Sequence, residues 1–128
     1  MANRPLILLS IVELGGYPNF APLYERLGCR AIIETSMRKA LATVRKLEPE
    51  IVVAEFNFQS DFRDRTSSLE SLMSVLLQLP ATRVIVFYER EYAHQLARLQ
   101  ARFPLFRTMT YPIDETELAA NVRAALPT

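Results

Sequence analysis

Few side chains in this sequence are equipped for chemistry, and their spacing narrows the choice. His94 is the lone histidine. A histidine serves as base or ligand, but this one lies off its helix's apolar stripe with no second ligand at helical spacing, so a solvated residue is expected. Cys29, the single cysteine, opens a short apolar run and reads as a buried, inert thiol. One cysteine also excludes a disulfide framework and an all-cysteine metal cluster. Gly15-Gly16 follows the first apolar run, where a glycine-rich loop could cradle phosphate. It lacks a third glycine and a Lys-Ser/Thr ending, so a simple turn is expected. A flavin would ask for a Ser/Thr/Gly-rich loop at that place, and Ile11-Val12-Glu13-Leu14 is a poor substitute. Arginine outnumbers lysine thirteen to two, which suits bidentate contacts but more often reflects genomic composition.

These residues need elements to position them. Leu6–Val12 (LILLSIV), Cys29–Glu34 (CRAIIE), Ile51–Phe56 (IVVAEF) and Val84–Tyr88 (VIVFY) are short, nearly continuous apolar runs. Such runs suit strands buried on both faces of a parallel sheet. Phe106–Tyr111 (FRTMTY) alternates enough to be an edge strand. Between them lie helical stripes: Phe20, Leu23, Tyr24 and Leu27; Met37, Ala40, Leu41, Val44 and Leu47; Leu69, Leu72, Met73, Leu76 and Leu79; Tyr92, Leu96, Leu99 and Phe103; Leu118, Val122, Ala125 and Leu126. Thr35 or Ser36 caps the second, Ser67-x-x-Glu70 reads as a capping box for the third, and Asp114-x-x-Glu117 repeats that pattern before the fifth. Gly28, Pro49, Pro80 and Pro104 close the intervening helices.

Five strand–helix units predict an α/β fold: a (βα)5 three-layer sandwich whose parallel five-stranded sheet has the order 2-1-3-4-5. Residues 1–128 are read as one domain. Ligands and chemistry in such sheets collect at the carboxyl ends of the strands. The positions of interest are therefore Ser10 to Glu13, Glu55 to Asn57, Tyr88 to Arg90 and Tyr111-Pro112.

Composition agrees with a single soluble domain: 128 residues, half apolar, with fifteen basic against fourteen acidic side chains. Near-neutral charge argues against a grip on nucleic acid built on phosphate neutralisation. No apolar run reaches the roughly 18 residues that span a bilayer, and the first residues lack a signal peptide's pattern. A cytoplasmic protein without membrane contact is expected.

The stretch KALATVRKLEPEIVVAEFNF, residues 39–58, resembles the second helix and third strand of bacterial response-regulator receiver domains, the CheY-like, flavodoxin-like family. TYPIDETELAANVRAAL resembles that family's Lys-Pro-Phe-Asp stretch and last helix. The resemblance covers nearly the whole chain in order and length. It implies that Glu55 stands at the phosphate-accepting Asp, Ser10 and Ile11 at the acidic pair, Tyr88 at the Thr or Ser, and Tyr111 at the lysine. Every element of the reaction is then altered. Mg²⁺ wants oxygen ligands that Ile11 lacks and Ser10 offers only as a hydroxyl. Glu55 is one methylene longer than Asp, and Tyr111 carries no positive charge.

The expectation is a degenerate receiver, or pseudo-receiver: a phosphorylation-independent signalling module that works by protein–protein contact, with no catalysis, cofactor or metal. Its partner would be a kinase, an output domain or another signalling protein. Two roles for Glu55 stay open: a permanent negative charge imitating the phosphorylated state, or a structural acceptor for a phenol from Tyr88 or Tyr111. The resemblance also points to the face formed by helix four, strand five and helix five, where Arg98, Arg102 and Arg107 oppose Asp114, Glu115 and Glu117 and could pair across a homodimer axis. The segment Gln59–Thr66, with Asp61, Arg63, Asp64 and Arg65 and with Phe58 and Phe62 nearby, is the clearest insertion and a plausible contact site. Two rivals remain: an atypical active receiver holding a metal with Glu13 and Glu55, and a small-ligand-binding or flavin-binding flavodoxin-like domain.

Overall fold

A computed structural model describes residues 4–58 and 68–127. Five strands, β1 (Leu6–Ile11), β2 (Cys29–Glu34), β3 (Ile51–Phe56), β4 (Arg83–Tyr88) and β5 (Arg107–Thr110), form one parallel sheet in the order β2-β1-β3-β4-β5. The helices between and after them are α1 (Ala21–Arg26), α2 (Met37–Leu47), α3 (Leu69–Leu76), α4 (Ala93–Gln100) and α5 (Glu115–Ala125). Each crossover returns the chain to the same end of the sheet, which gathers the β–α loops at the strands' carboxyl ends.

The two-residue alternation of a strand sorts its side chains between two helical layers. From β3, Val52, Ala54 and Phe56 join Leu9, Ile11, Val84 and Val86 beneath α2, α3 and α4. Ile51 and Val53 join Leu8, Ile85, Phe87 and Met109 beneath α1 and α5. All six residues of β3 are buried, so the middle strand carries no solvated face. This explains why its sequence reads as a continuous apolar run interrupted only by Glu55. β5 lies at an edge, and its partly exposed residues are the ones that alternate.

Local signals place two of the helix starts. Ser36 caps α2 by accepting from the Lys39 N–H at 3.2 Å, and Asp114 caps α5 by accepting from the Thr116 N–H at 2.9 Å. Leu79 lies beyond the end of α3, β1 and β5 are each shorter than their sequence runs, and other details differ from the sequence expectation. The third helix begins at Leu69 after Ser68, whose hydroxyl makes no cap, while Ser67 lies outside the described residues. Phe103 lies beyond the end of α4 but still fills the core, because its N–H bonds the Leu99 carbonyl at 2.9 Å and carries the turn on by four residues. The turn before α4, Arg90–Tyr92, is a 3-10 helix. Among the described residues no helix is long and apolar enough to cross a membrane.

Candidate functional site

β3 ends by delivering Glu55 to the centre of the sheet's carboxyl end, in register with Phe87 of β4. Its side chain is 1% exposed. Burying a carboxylate is costly unless hydrogen bonds replace its water. Here four donors do so. Oε1 accepts from the Leu14 N–H at 2.9 Å and the Asn57 side-chain amide at 3.0 Å. Oε2 accepts from the Gly15 N–H at 3.2 Å and the Tyr17 hydroxyl at 2.5 Å. A carboxylate has about four lone-pair positions, so this one is saturated by the protein itself.

Three of the four donors come from the loop between β1 and α1. Consecutive N–H groups aim at one anion only when the backbone curls into a concave nest. Gly15 at φ +70° and Gly16 at φ +88° occupy the left-handed conformation that this curl needs and that a side chain resists. The expected turn is thus present, and its N–H groups cradle the protein's own carboxylate.

Aromatic rings hold the Tyr17 hydroxyl in place. The ring stacks on Phe20 and Tyr111 with centroids 6.1 and 5.8 Å away, and meets Phe87 edge-on at 5.3 Å. Burial, and then the hydrogen bond to Glu55, push the Tyr17 phenol well above the ordinary tyrosine range. Burial, followed by the charges of Glu55 and Glu89, does the same for Tyr111.

Glu13 sits at the margin of this cluster. Both of its oxygens accept from the Ser68 hydroxyl, at 2.9 and 2.8 Å, which ties the β1–α1 loop to the start of α3. Burial raises the Glu13 pKa most, the Ser68 hydrogen bond lowers it, and repulsion from Glu55 raises it further.

The sequence-selected residues therefore divide. Glu55 lies where expected, but its phenolic donor is Tyr17, not Tyr88 or Tyr111. Alternation explains the first half of that correction: Tyr88 pairs in register with Phe56 and packs in the α2–α4 layer, opposite Ile51 and Val53. Tyr111 reaches the cluster as a ring stacked on Tyr17. Ser10 is buried on β1 beside Leu8's layer, and Ile11 is wholly buried in the other. Neither presents a carboxylate to the site. Sequence reasoning missed Tyr17, Asn57's role and Ser68; the adjacency of Gly15-Gly16 to Tyr17 at the end of β1 was the available signal.

On the second candidate face, the chain answers some of its own charges. Arg102 binds Glu70 of α3 at 2.8 Å, and Arg26 of α1 approaches Glu115 at 3.8 Å. Arg107 lies over the Phe106 ring at 4.3 Å and donates to the Phe106 carbonyl. Arg98, Glu117 and the Asp114 cap remain on the surface without an ion pair among the described residues. Asp61, Arg63, Asp64 and Arg65 lie outside the described residues. His94 is exposed and Cys29 buried, as their spacing predicts.

No protein-family model matches the sequence, and no curated protein matches it either. Solved structures do. A response regulator receiver domain protein from Clostridium thermocellum superposes with a TM-score of 0.75 at 15% identity, covering 94% of this chain and 93% of that one. The chain has the receiver fold. The Vibrio cholerae chemotaxis protein CheY4 gives a TM-score of 0.73 at 13% identity, over 96% of this chain and 100% of that one. A member of a family of streptococcal redox sensors evolved from two-component response regulators gives 0.70 at 12% identity, over 94% of this chain and 50% of that one. In this receiver fold the carboxyl end of the central strand carries a saturated glutamate and the loop that clasps it.

Proposed function

We propose that this chain is a phosphorylation-independent signalling module of the pseudo-receiver kind, cytoplasmic and bacterial, that acts by protein–protein contact and catalyses no reaction. The observation that carries this reading is the saturation of Glu55. Phosphoryl transfer needs an acceptor oxygen free to attack and a hard cation held by carboxylate oxygens. Both Glu55 oxygens already accept two hydrogen bonds each from the protein. Glu13, the other carboxylate of the metal-holding alternative, is engaged by Ser68.

The same geometry favours the structural role of Glu55 over imitation of a phosphoryl group. A group 1% exposed offers no charge for a partner to read. What it offers is a fixed β1–α1 loop. Among its structural neighbours is a family of streptococcal redox sensors evolved from two-component response regulators, which supports reading a receiver fold as open to other signalling uses.

The test treats the chain with acetyl phosphate and Mg²⁺, and separately with beryllofluoride and Mg²⁺, followed by intact mass and amide NMR spectra. An unchanged mass and unmoved Leu14, Gly15 and Asn57 resonances are expected. A phosphoryl adduct, or Mg²⁺-dependent shifts of those three amides, would overturn the reading.

A further inference from the structure

A groove of about 280 Å³ runs between α3 and α4, floored by Phe56, Phe58 and Leu99 and rimmed by Glu70, Gln95, Arg98 and Arg102. Its lining includes no residue of β5 or α5. Its polar groups are unequally satisfied. Gln95 Oε1 is buried without a hydrogen-bond partner, alone in this among the described residues. Native folds seldom leave such an acceptor unpaired, and Gln95 itself lines the groove, so a turn of its side chain brings the acceptor to an incoming N–H. Arg102 is held by Glu70 at 2.8 Å, whereas Arg98 has no ion-pair partner among the described residues. Among the described residues, two guanidinium groups against one carboxylate leave the rim with one uncompensated positive charge. The aromatic floor is firm: Phe58 stacks on Phe56 at 6.1 Å and leans on Tyr92 at 5.4 Å.

We propose that this groove docks an acidic segment of a protein partner, which seats an apolar side chain on Phe58 and Leu99. The segment donates a main-chain N–H to Gln95 Oε1 and places a carboxylate against Arg98. Whole small ligands usually occupy clefts of roughly 300–1,000 Å³. A volume just below that range suits one anchoring side chain with its flanking backbone. The proposal rests on the reading of the chain as a protein-contact module and specifies where the contact is made and with what chemistry.

Two probes test it on the full chain by amide NMR titration: acetyl-Asp-Leu-Phe-Asp-amide and its counterpart with both Asp replaced by Lys. The acidic peptide is expected to shift Phe58, Gln95, Arg98 and Leu99, and the basic one to leave them still. Arg98→Glu should weaken the acidic peptide about ten-fold, the loss of a paired charge and the gain of a like one. Gln95→Leu should weaken it several-fold while raising the melting temperature of the free chain, because it deletes an unsatisfied acceptor. That opposite movement of affinity and stability is not expected of a residue that merely packs. Equal binding of the two peptides, no binding of either, or shifts elsewhere on the surface would overturn the groove. A chain that takes no phosphoryl group yet binds neither peptide keeps the reading of Glu55 and loses only this one.

Discussion

Tyr17→Phe removes a single oxygen atom and leaves the ring free to keep its contacts with Phe20, Phe87 and Tyr111. What disappears is the 2.5 Å hydrogen bond to Glu55 Oε2. Hydrogen bonds to charged groups contribute about 1.5–3 kcal/mol, and the upper half of that range applies where no water can replace the donor. At 1% exposure, Glu55 has little access to water. Unfolding entropy runs near 2.1 cal/mol/K per residue, or about 270 cal/mol/K for this length, so the loss corresponds to a fall in melting temperature of roughly 8–11 °C. Urea unfolding measures it, with the slope expected to stay constant because the surface exposed is the same. Glu55→Gln turns an amide N–H₂ toward groups that are themselves donors and should cost more. The double variant should then cost less than the sum of the two, because the Tyr17 hydroxyl has already lost its acceptor. If Tyr17→Phe changes stability by less than about 0.5 kcal/mol, the ordinary scale of a neutral surface change, the hydroxyl does not sustain the buried carboxylate and the account of the site fails.

Two pH-dependent consequences follow from the same cluster. Because folding raises the Glu13 pKa, its contribution is most favourable below the unfolded carboxylate range near 4.5 and is lost as pH rises through the folded value. Glu13→Gln, which keeps an acceptor for Ser68, should therefore gain stability relative to the parent on going from acid to neutral pH, measured as the difference between paired urea melts. A constant difference would refute it. Folding also raises the Tyr17, Tyr24 and Tyr111 phenols, each chiefly by burial. Stability present below the ordinary tyrosine pKa near 10 should fall as pH climbs above it. In a spectrophotometric titration these three phenols should ionise together with unfolding, and stepwise ionisation in a still-folded chain would contradict their burial.

Much of the fold is legible from local patterns. The six residues of Ile51–Phe56 are apolar save one because that strand has helices on both sides, and the alternation of Phe106–Tyr111 marks the exposed edge where β5 lies. Ser36 and Asp114 announce helix starts through a short-range bond that three or four residues suffice to make. Ser68 shows where this logic stops. Its hydroxyl could have capped α3, but it is drawn to Glu13, 55 positions earlier, and no local rule ranks those two acceptors.

The amino-acid order alone determined the alternation of strands and helices, their parallel arrangement and the arrival of one carboxylate at the tip of the central strand. Each of these follows from periodicities a few residues long and from the right-handedness of crossovers. Only the folded chain decided what meets that carboxylate. Tyr17 reaches Glu55 across 38 positions because two left-handed glycines curl the intervening loop, and Tyr88 misses it because β4 turns that ring to the opposite layer. A buried charge is answered by whichever donors the packed backbone brings within 3 Å or so, and that is a property of three-dimensional proximity which sequence spacing does not encode.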